Sequence, residues 1–265
     1  MRNTLLDAGG VRLSVRESGP ADAPAVVLVH GWAQSGEVWS PPSSLRGYAV
    51  DLRGHGASEV AGGGYRESAV WAADLKAVLD HVGRPAVVVG WSYGGLVIAD
   101  YLRFHGTAGL SGLVLVGAIT ELGRGRPGGL TGRLADAVLP EAYSDDPAVA
   151  VPALTGFCRD QAPGLGGDVV QRMLGTALRV PPWVRRDMFR RDVDSAGVLK
   201  AVDKPTLVVH GTADEVVDPA AGEYAAALIP GADLRRYDGI GHAPFLERPE
   251  CFAADLGRFV AEVSR

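Results

Sequence analysis

Gly90-Trp91-Ser92-Tyr93-Gly94 stands between the apolar run at residues 86–89 and Gly95-Leu96-Val97-Ile98-Ala99, which reads as a helix. A G-x-S-x-G at a strand-to-helix junction predicts a nucleophile elbow, a sharp turn that lifts one serine hydroxyl above a sheet. The spacing has a steric cause. The serine at the apex takes a backbone conformation uncommon for a residue with a Cβ. Its neighbours two positions away must be small for strand and helix to approach, and Gly90 and Gly94 meet that need. In a chain with 36 glycines the pentapeptide alone also fits a glycine-bordered turn with a helix-capping serine, so its context decides.

The context is an alternation of strands and helices. Residues 4–6 and 11–17 read as a hairpin joined by Gly9-Gly10. Residues 26–29 are continuously apolar, as expected of a strand buried on both faces. Residues 48–52 make the next strand, followed by the turn Arg53-Gly54-His55-Gly56-Ala57-Ser58. From Val70 onward, Leu75, Val78, Leu79 and Val82 recur at helical spacing until Gly83 stops the helix. Further strands fall at 86–89, 112–116, 205–209 and 233–237, and helices at 220–228 and 249–263, the last begun by Pro249. The pattern predicts an α/β fold with a mostly parallel twisted sheet and helices on both faces.

The rhythm breaks between about residues 120 and 201, which hold several Gly and Pro, short helix-like pieces and no convincing strand. The domain reading is a core of residues 1–119 and 202–265 with a helical cap, residues 120–201, inserted over the C-terminal edge of the sheet. Open α/β sheets place their ligands at that edge. Residues 123–132, glycine-rich around Pro127, read as a mobile hinge without regular structure.

Composition narrows the partners. Of 265 residues, 47% are apolar and 22% charged, which suits a protein with a sizeable core. A net charge of -5 without a basic run or base-stacking aromatic pattern gives no reason to expect nucleic acid. The N-terminus has no basic-then-apolar leader and no apolar stretch is of membrane-spanning length, so no membrane partner is expected. Cys158 and Cys251 fit no metal or redox spacing and read as two buried free thiols in a reducing compartment. The expectation is a cytoplasmic protein acting on a small molecule, with its oligomeric state open.

A serine hydroxyl is a poor nucleophile until a base takes its proton, and that base needs an orienting acid. Asp214, in His210-Gly211-Thr212-Ala213-Asp214, follows a buried strand, where a carboxylate can hold an imidazole in one tautomer. His242, in Gly239-Ile240-Gly241-His242-Ala243-Pro244, follows the last strand in a loop that glycines leave free to fold over the site. The chain order Ser92, Asp214, His242 is the one this architecture requires. Glu121 and Asp218 are rival acids. His30-Gly31-Trp32, after the strand at 26–29, can aim a backbone N–H at the serine. With the N–H of Tyr93 it would bind charge developing on a carbonyl oxygen, each donor contributing roughly 3 kcal/mol in the transition state.

Taken together, the His-Gly-Trp turn, the segment from Asp51 to Ser58, the elbow and the Asp214 and His242 loops resemble the α/β-hydrolase superfamily over nearly the whole chain. Within it the chain is similar to the small capped esterase, perhydrolase and C–C hydrolase group, which these motifs do not separate. The resemblance implies a serine hydrolase without cofactor, its oxyanion hole made by the N–H groups of Trp32 and Tyr93. It also implies a small or medium carboxylic ester with an apolar acyl part as substrate. A thioesterase, a C–C bond hydrolase, a perhydrolase and a non-catalytic binding protein share the same pattern.

The remaining candidates are read as structural. His55 shapes its turn, His30 and His210 orient loops, Asp51 is a strand-end carboxylate, and Cys158 lacks a partnering motif. No H-E-x-x-H or close Cys/His cluster suggests a metal. Arg185-Arg186 and Arg190-Arg191, interleaved with Asp187, Asp192 and Asp194, read as a solvated helix face. Trp32, Trp91 and Trp183 are expected to line an apolar pocket, with Trp39 divided between pocket and core.

Overall fold

A computed structural model describes residues 2–264. Its strands are β1 (Arg2–Asp7), β2 (Arg12–Ser18), β3 (Ala25–Val29), β4 (Arg46–Val50), β5 (Ala86–Trp91), β6 (Leu110–Val116), β7 (Thr206–Gly211) and β8 (Asp233–Tyr237). They form one sheet in the order β1-β2-β4-β3-β5-β6-β7-β8. The β1–β2 and β2–β4 pairs are antiparallel and the other pairs parallel. A parallel sheet needs cover on both faces, and β3, β5 and β7 are buried at every position. At the open edge, Arg235 and Arg236 of β8 pair with Asp255 and Glu223, charges that discourage further strand addition.

Helices α1 (Ser68–Val82) and α2 (Tyr93–His105) follow β4 and β5. Helix α1 buries Leu75, Val78, Leu79 and Val82 and stops at Gly83, whose φ of 68° is left-handed. Helix α2 is buried from Tyr93 to Leu102, so the helix behind the elbow belongs to the core. Between β6 and β7 lie α3 (Arg133–Ala142), α4 (Pro147–Asp160), α5 (Gly167–Arg179), α6 (Pro182–Asp187) and α7 (Ala196–Lys200). Among the described residues this segment pairs in β fashion only through isolated bridges, Leu122 to Val193 and Thr131 to Val217. Helices α8 (Pro219–Leu228), α9 (Pro244–Glu247) and α10 (Pro249–Val263) complete the chain, and Asp218 caps α8 by accepting the Ala220 N–H.

Two local readings need correction. The strand expected at 48–52 ends at Val50 because Asp51 and Leu52 have other bonds. Leu52 N–H donates to His30 Nε2 at 2.9 Å, and the Asp51 carboxylate accepts from the Gly36 and Ala57 N–H groups. Residues 123–132 are not without regular structure, since Pro127–Gly129 form a 3₁₀ turn. That turn is stapled: Thr120 N–H donates to Gly128 O at 2.8 Å, and Gly128 N–H to Glu121 Oε2 at 3.0 Å.

The site's location follows from the strand order. After β3 the chain crosses to β4 on one side; after β5 it crosses to β6 on the other. The C-terminal ends of β3 and β5 therefore flank a topological switch point, where neighbouring connections diverge and leave a crevice.

Candidate active site

Ser92 follows β5 with φ of 54° and ψ of -119°, and the only other non-glycine with positive φ among the described residues is Ala33, at 55°. Both strained residues lie beside the β3–β5 crevice. The elbow is held from two sides: Ser92 N–H donates to Val116 O at 3.0 Å, and Ser92 O accepts from Gly95 and Ile119. Its glycines are obligatory. A Cβ on Gly94 would sit 2.5 Å from Val29 O, and one on Gly90 would sit 2.6 Å from Ile98 Cδ1.

His242 Nδ1–H donates to Asp214 Oδ2 at 2.8 Å, which leaves the Nε2 lone pair free. Asp214 Oδ1 accepts the Val216 and Val217 N–H groups at 2.8 and 3.0 Å, so the carboxylate is oriented before any ligand arrives. His210 Nε2 lies 3.1 Å from the same Oδ2 and 3.2 Å from Val217 O; with two acceptors facing it, that nitrogen carries the proton. Burial alone would raise the Asp214 pKa. The charge of His242 and the hydrogen bonds from His210 and His242 outweigh it and hold the carboxyl well below its ordinary 3.8. His242 is fixed further by its N–H on Gln161 O and its carbonyl under Trp91 Nε1–H, both at 2.8 Å.

The turn after β3 is positioned by His30, whose Nδ1–H donates to Gly31 O at 2.7 Å while Nε2 accepts from Leu52. Burial lowers its pKa to about 4, so the ring is neutral and both bonds persist near neutrality. Neither the Trp32 nor the Tyr93 backbone N–H donates to another protein group among the described residues. The side chains of both residues reach the segment between β6 and β7. Trp32 Nε1–H donates to Arg185 O at 2.9 Å, and its ring meets Tyr143, Phe157 and Phe189 edge-on. The Tyr93 hydroxyl donates to Met188 O and accepts from Arg191, each at 2.8 Å.

Ser92, His242, Trp32 and Trp91 line one mostly apolar cavity. The His242 ring bonds Asp214 and not Ser92 Oγ, and such a serine–histidine bond often tightens only when substrate is present. Trp183 is a correction: it does not line this cavity but stacks edge-on against Tyr65, because α6 turns it toward the 53–67 loop. Trp39 stacks on Phe245 at 4.3 Å in the core. The rival acids are engaged elsewhere, Glu121 on the Gly128 and Ser195 N–H groups and Asp218 as the α8 cap. The solvated-face reading holds for Arg190, Asp192 and Asp194, which are exposed, and is corrected for Arg185 and Arg191, which are buried, Arg191 in a pair with buried Asp100. Cys251 is exposed rather than buried, because its place on the last helix faces solvent; Cys158 is buried.

A model of the alpha/beta hydrolase family matches residues 26–255. The chain belongs to that family. This α/β hydrolase is 40% identical to an esterase from Rhodococcus sp. ECU1013, with a TM-score of 0.94 over 99% of this chain and 98% of the other. It is 31% identical to a pimeloyl-(acyl-carrier protein) methyl ester esterase of Aromatoleum aromaticum, covering 86% of this chain and 94% of the relative. It is 30% identical to a non-heme haloperoxidase of Rhodococcus erythropolis, covering 89% and 91%. Its fold and its relatives make it a hydrolase enzyme of the esterase type, and no helix among the described residues is long and apolar enough to cross a membrane.

Sequence reasoning read His210 only as a loop-orienting residue and did not mark Gln161. His210 shares the Asp214 carboxylate, and the signal was present in the four-residue spacing of His210 and Asp214 across a strand end. Gln161 meets His242 through its backbone, and nothing in its local sequence marks it.

Proposed function

We propose that this hydrolase cleaves small to medium carboxylic esters with an apolar acyl part, through a Ser92 acyl-enzyme. The carrying observation is the His242–Asp214 bond at 2.8 Å, with His242 and Ser92 on one apolar cavity. Ser92 Oγ attacks the ester carbonyl as His242 Nε2 takes its proton; Asp214 fixes the tautomer and stabilises the imidazolium. The uncommitted N–H groups of Trp32 and Tyr93 would hold the oxyanion. Collapse of the tetrahedral species breaks the C–O bond, and the alcohol leaves with the proton from His242. Water, deprotonated by His242, then adds to the acyl-enzyme, and its collapse returns the proton to Ser92 and releases the acid.

In this reading the α3–α7 segment, within residues 120–201, is the cap, and it forms the cavity wall opposite the sheet. Leu139, Phe157 and Phe189 support this by lining the cavity with Trp32. The free thiols Cys158 and Cys251 agree with a reducing, cytoplasmic setting.

The haloperoxidase relatives favour a second reading, in which peroxide replaces water at the acyl-enzyme and a peracid leaves. Labelling by a fluorophosphonate, with mass mapping of the adduct, tests the common step. A stoichiometric adduct on Ser92, absent in Ser92→Ala, is the expected result. A folded protein that binds esters without turnover and takes no label would overturn it in favour of a binding protein. Peracid formation from ester and peroxide separates the two enzymatic readings.

A further inference from the structure

The turn that carries the Trp32 N–H has little backbone support of its own. It runs from Gly31 to Gln34 and is closed by Gln34 N–H on Gly31 O at 3.3 Å. At its third position Ala33 holds φ of 55°, where turns ordinarily place glycine. Among the described residues, neither Trp32 nor Ala33 forms a hydrogen bond through its backbone. A strained conformation of this kind persists only where its surroundings over-determine it. Here two side chains, one on each flank of Ala33, reach the segment between β6 and β7. Trp32 Nε1–H donates to Arg185 O at 2.9 Å, a last-turn carbonyl that the short helix α6 leaves without a helical partner. Gln34 Nε2–H donates to Met173 O, on α5, at 3.3 Å, and both bonds are buried.

The turn sits directly against the elbow, since a Cβ on Gly31 would lie 2.9 Å from Ser92 Cβ. A small shift of the turn therefore changes where the Trp32 N–H points relative to a carbonyl carbon bonded to Ser92. Resting on the reading of the Trp32 N–H as an oxyanion donor, we infer that the Trp32 indole N–H and the Gln34 amide are positioning groups that hold this strained turn so that the donor stays aimed at the reacting carbonyl. Through Arg185 O and Met173 O, the segment between β6 and β7 then contributes to the chemical step as well as to the cavity wall. A donor that engages charge only in the transition state affects kcat, and its misplacement leaves ground-state binding intact.

Trp32→Phe and Gln34→Met each remove one tether. Each is expected to lower kcat on a small ester about tenfold, the effect of one hydrogen bond. Gln34 does not line the cavity, so KM is expected to hold in Gln34→Met. Two ketones of one shape separate positioning from packing. With 1,1,1-trifluoroheptan-2-one, Ser92 Oγ bonds to the carbonyl carbon, the serine proton passes to His242, and the C=O electron pair becomes an oxyanion. Heptan-2-one occupies the cavity without forming that adduct. The wild type is expected to prefer the trifluoro ketone strongly, and each variant to lose about tenfold of that preference. Ala33→Gly removes the Cβ that makes positive φ unfavourable, so Ala33→Gly with Gln34→Met is expected to regain part of the preference, measured against Ala33→Gly alone. A purely structural tether would lower the melting temperature and leave the preference of the folded protein untouched. An unchanged preference in either folded single variant, or no recovery in the double, would overturn the proposal. A wild type that binds the two ketones alike and takes no fluorophosphonate label defeats the serine-hydrolase reading beneath it, whereas a strong wild-type preference that survives both variants defeats the tether role alone.

Discussion

Arg191, in the segment between β6 and β7, and Asp100, on the helix behind Ser92, form an ion pair at 2.6 Å with side chains 1% and 0% exposed. The same guanidinium donates to the Tyr93 hydroxyl and to Ser68 Oγ. The segment between β6 and β7 is thus fastened to the elbow helix by a charge that water cannot reach. Removing one partner leaves the other buried and unpaired, so Arg191→Leu or Asp100→Leu is expected to cost about 3–5 kcal/mol, whereas the double replacement costs less than either. Urea denaturation of the single and double variants measures this. Additive losses would show that the two groups are not coupled.

Asp214 is expected to be indispensable to turnover and Glu121 to be dispensable. With His242 Nδ1 on Asp214 Oδ2, Asp214→Asn preserves the shape but offers an N–H₂ or a neutral oxygen where a carboxylate stood. A fall in kcat of about 10⁴ with retained fold is expected, and near-normal kcat for Glu121→Gln. The reverse pattern would assign the acid to Glu121.

The second histidine on that carboxylate has its own consequence. A Cβ on Gly222 would sit 2.3 Å from His210 Nδ1, so Gly222→Ala must displace the ring from the position in which it bonds Asp214. Loss of one hydrogen bond to a charged group corresponds to about ten- to a hundredfold. That loss is expected in kcat, with KM little changed, because His210 does not line the cavity. Steady-state kinetics decide it, and a change confined to KM would place the effect in the pocket.

The strained serine predicts a trade between stability and activity. At φ of 54°, Ser92→Gly removes the Cβ penalty, so this variant is expected to be more stable than Ser92→Ala by about 1–3 kcal/mol, with both inactive. Thermal denaturation of the pair reads the difference directly.

Two buried histidines set an acid limit on stability. Burial lowers the pKa of His30 to about 4 and that of His55 to about 3, from 6.5 for an accessible ring. Between those values the unfolded chain binds protons that the folded one does not, so stability is complete above pH 6.5 and falls as the pH drops toward 4. His55→Gln is expected to remove one proton from that linkage, about 1.4 kcal/mol less loss per pH unit. Urea melts between about pH 4.5 and 6.5 measure the slope, and identical slopes for wild type and variant would contradict it.

How much was legible differs from residue to residue for a physical reason. β8 was read at its observed ends, Asp233–Tyr237, because a short strand bounded by turn signals is defined by its neighbours in sequence. β4 was misplaced at its end because Leu52 is claimed by His30, a contact invisible to a local pattern. The solvated-face reading failed likewise for Arg185 and Arg191. Interleaved Arg and Asp are compatible with solvent, and only Asp100, 91 residues away, takes Arg191 into the interior.

By itself the sequence determined the class of fold, the elbow with its two glycines, and the order of Ser92, Asp214 and His242, since each is written in a stretch of a few residues. Tertiary structure decided what distant segments do to one another. It set His210 and His242 on one carboxylate, turned Trp183 away from the cavity, and buried Arg191 against Asp100. Local motifs are fixed by backbone sterics over a few residues, whereas the polarity of a cavity wall depends on which side chains packing brings together from opposite parts of the chain.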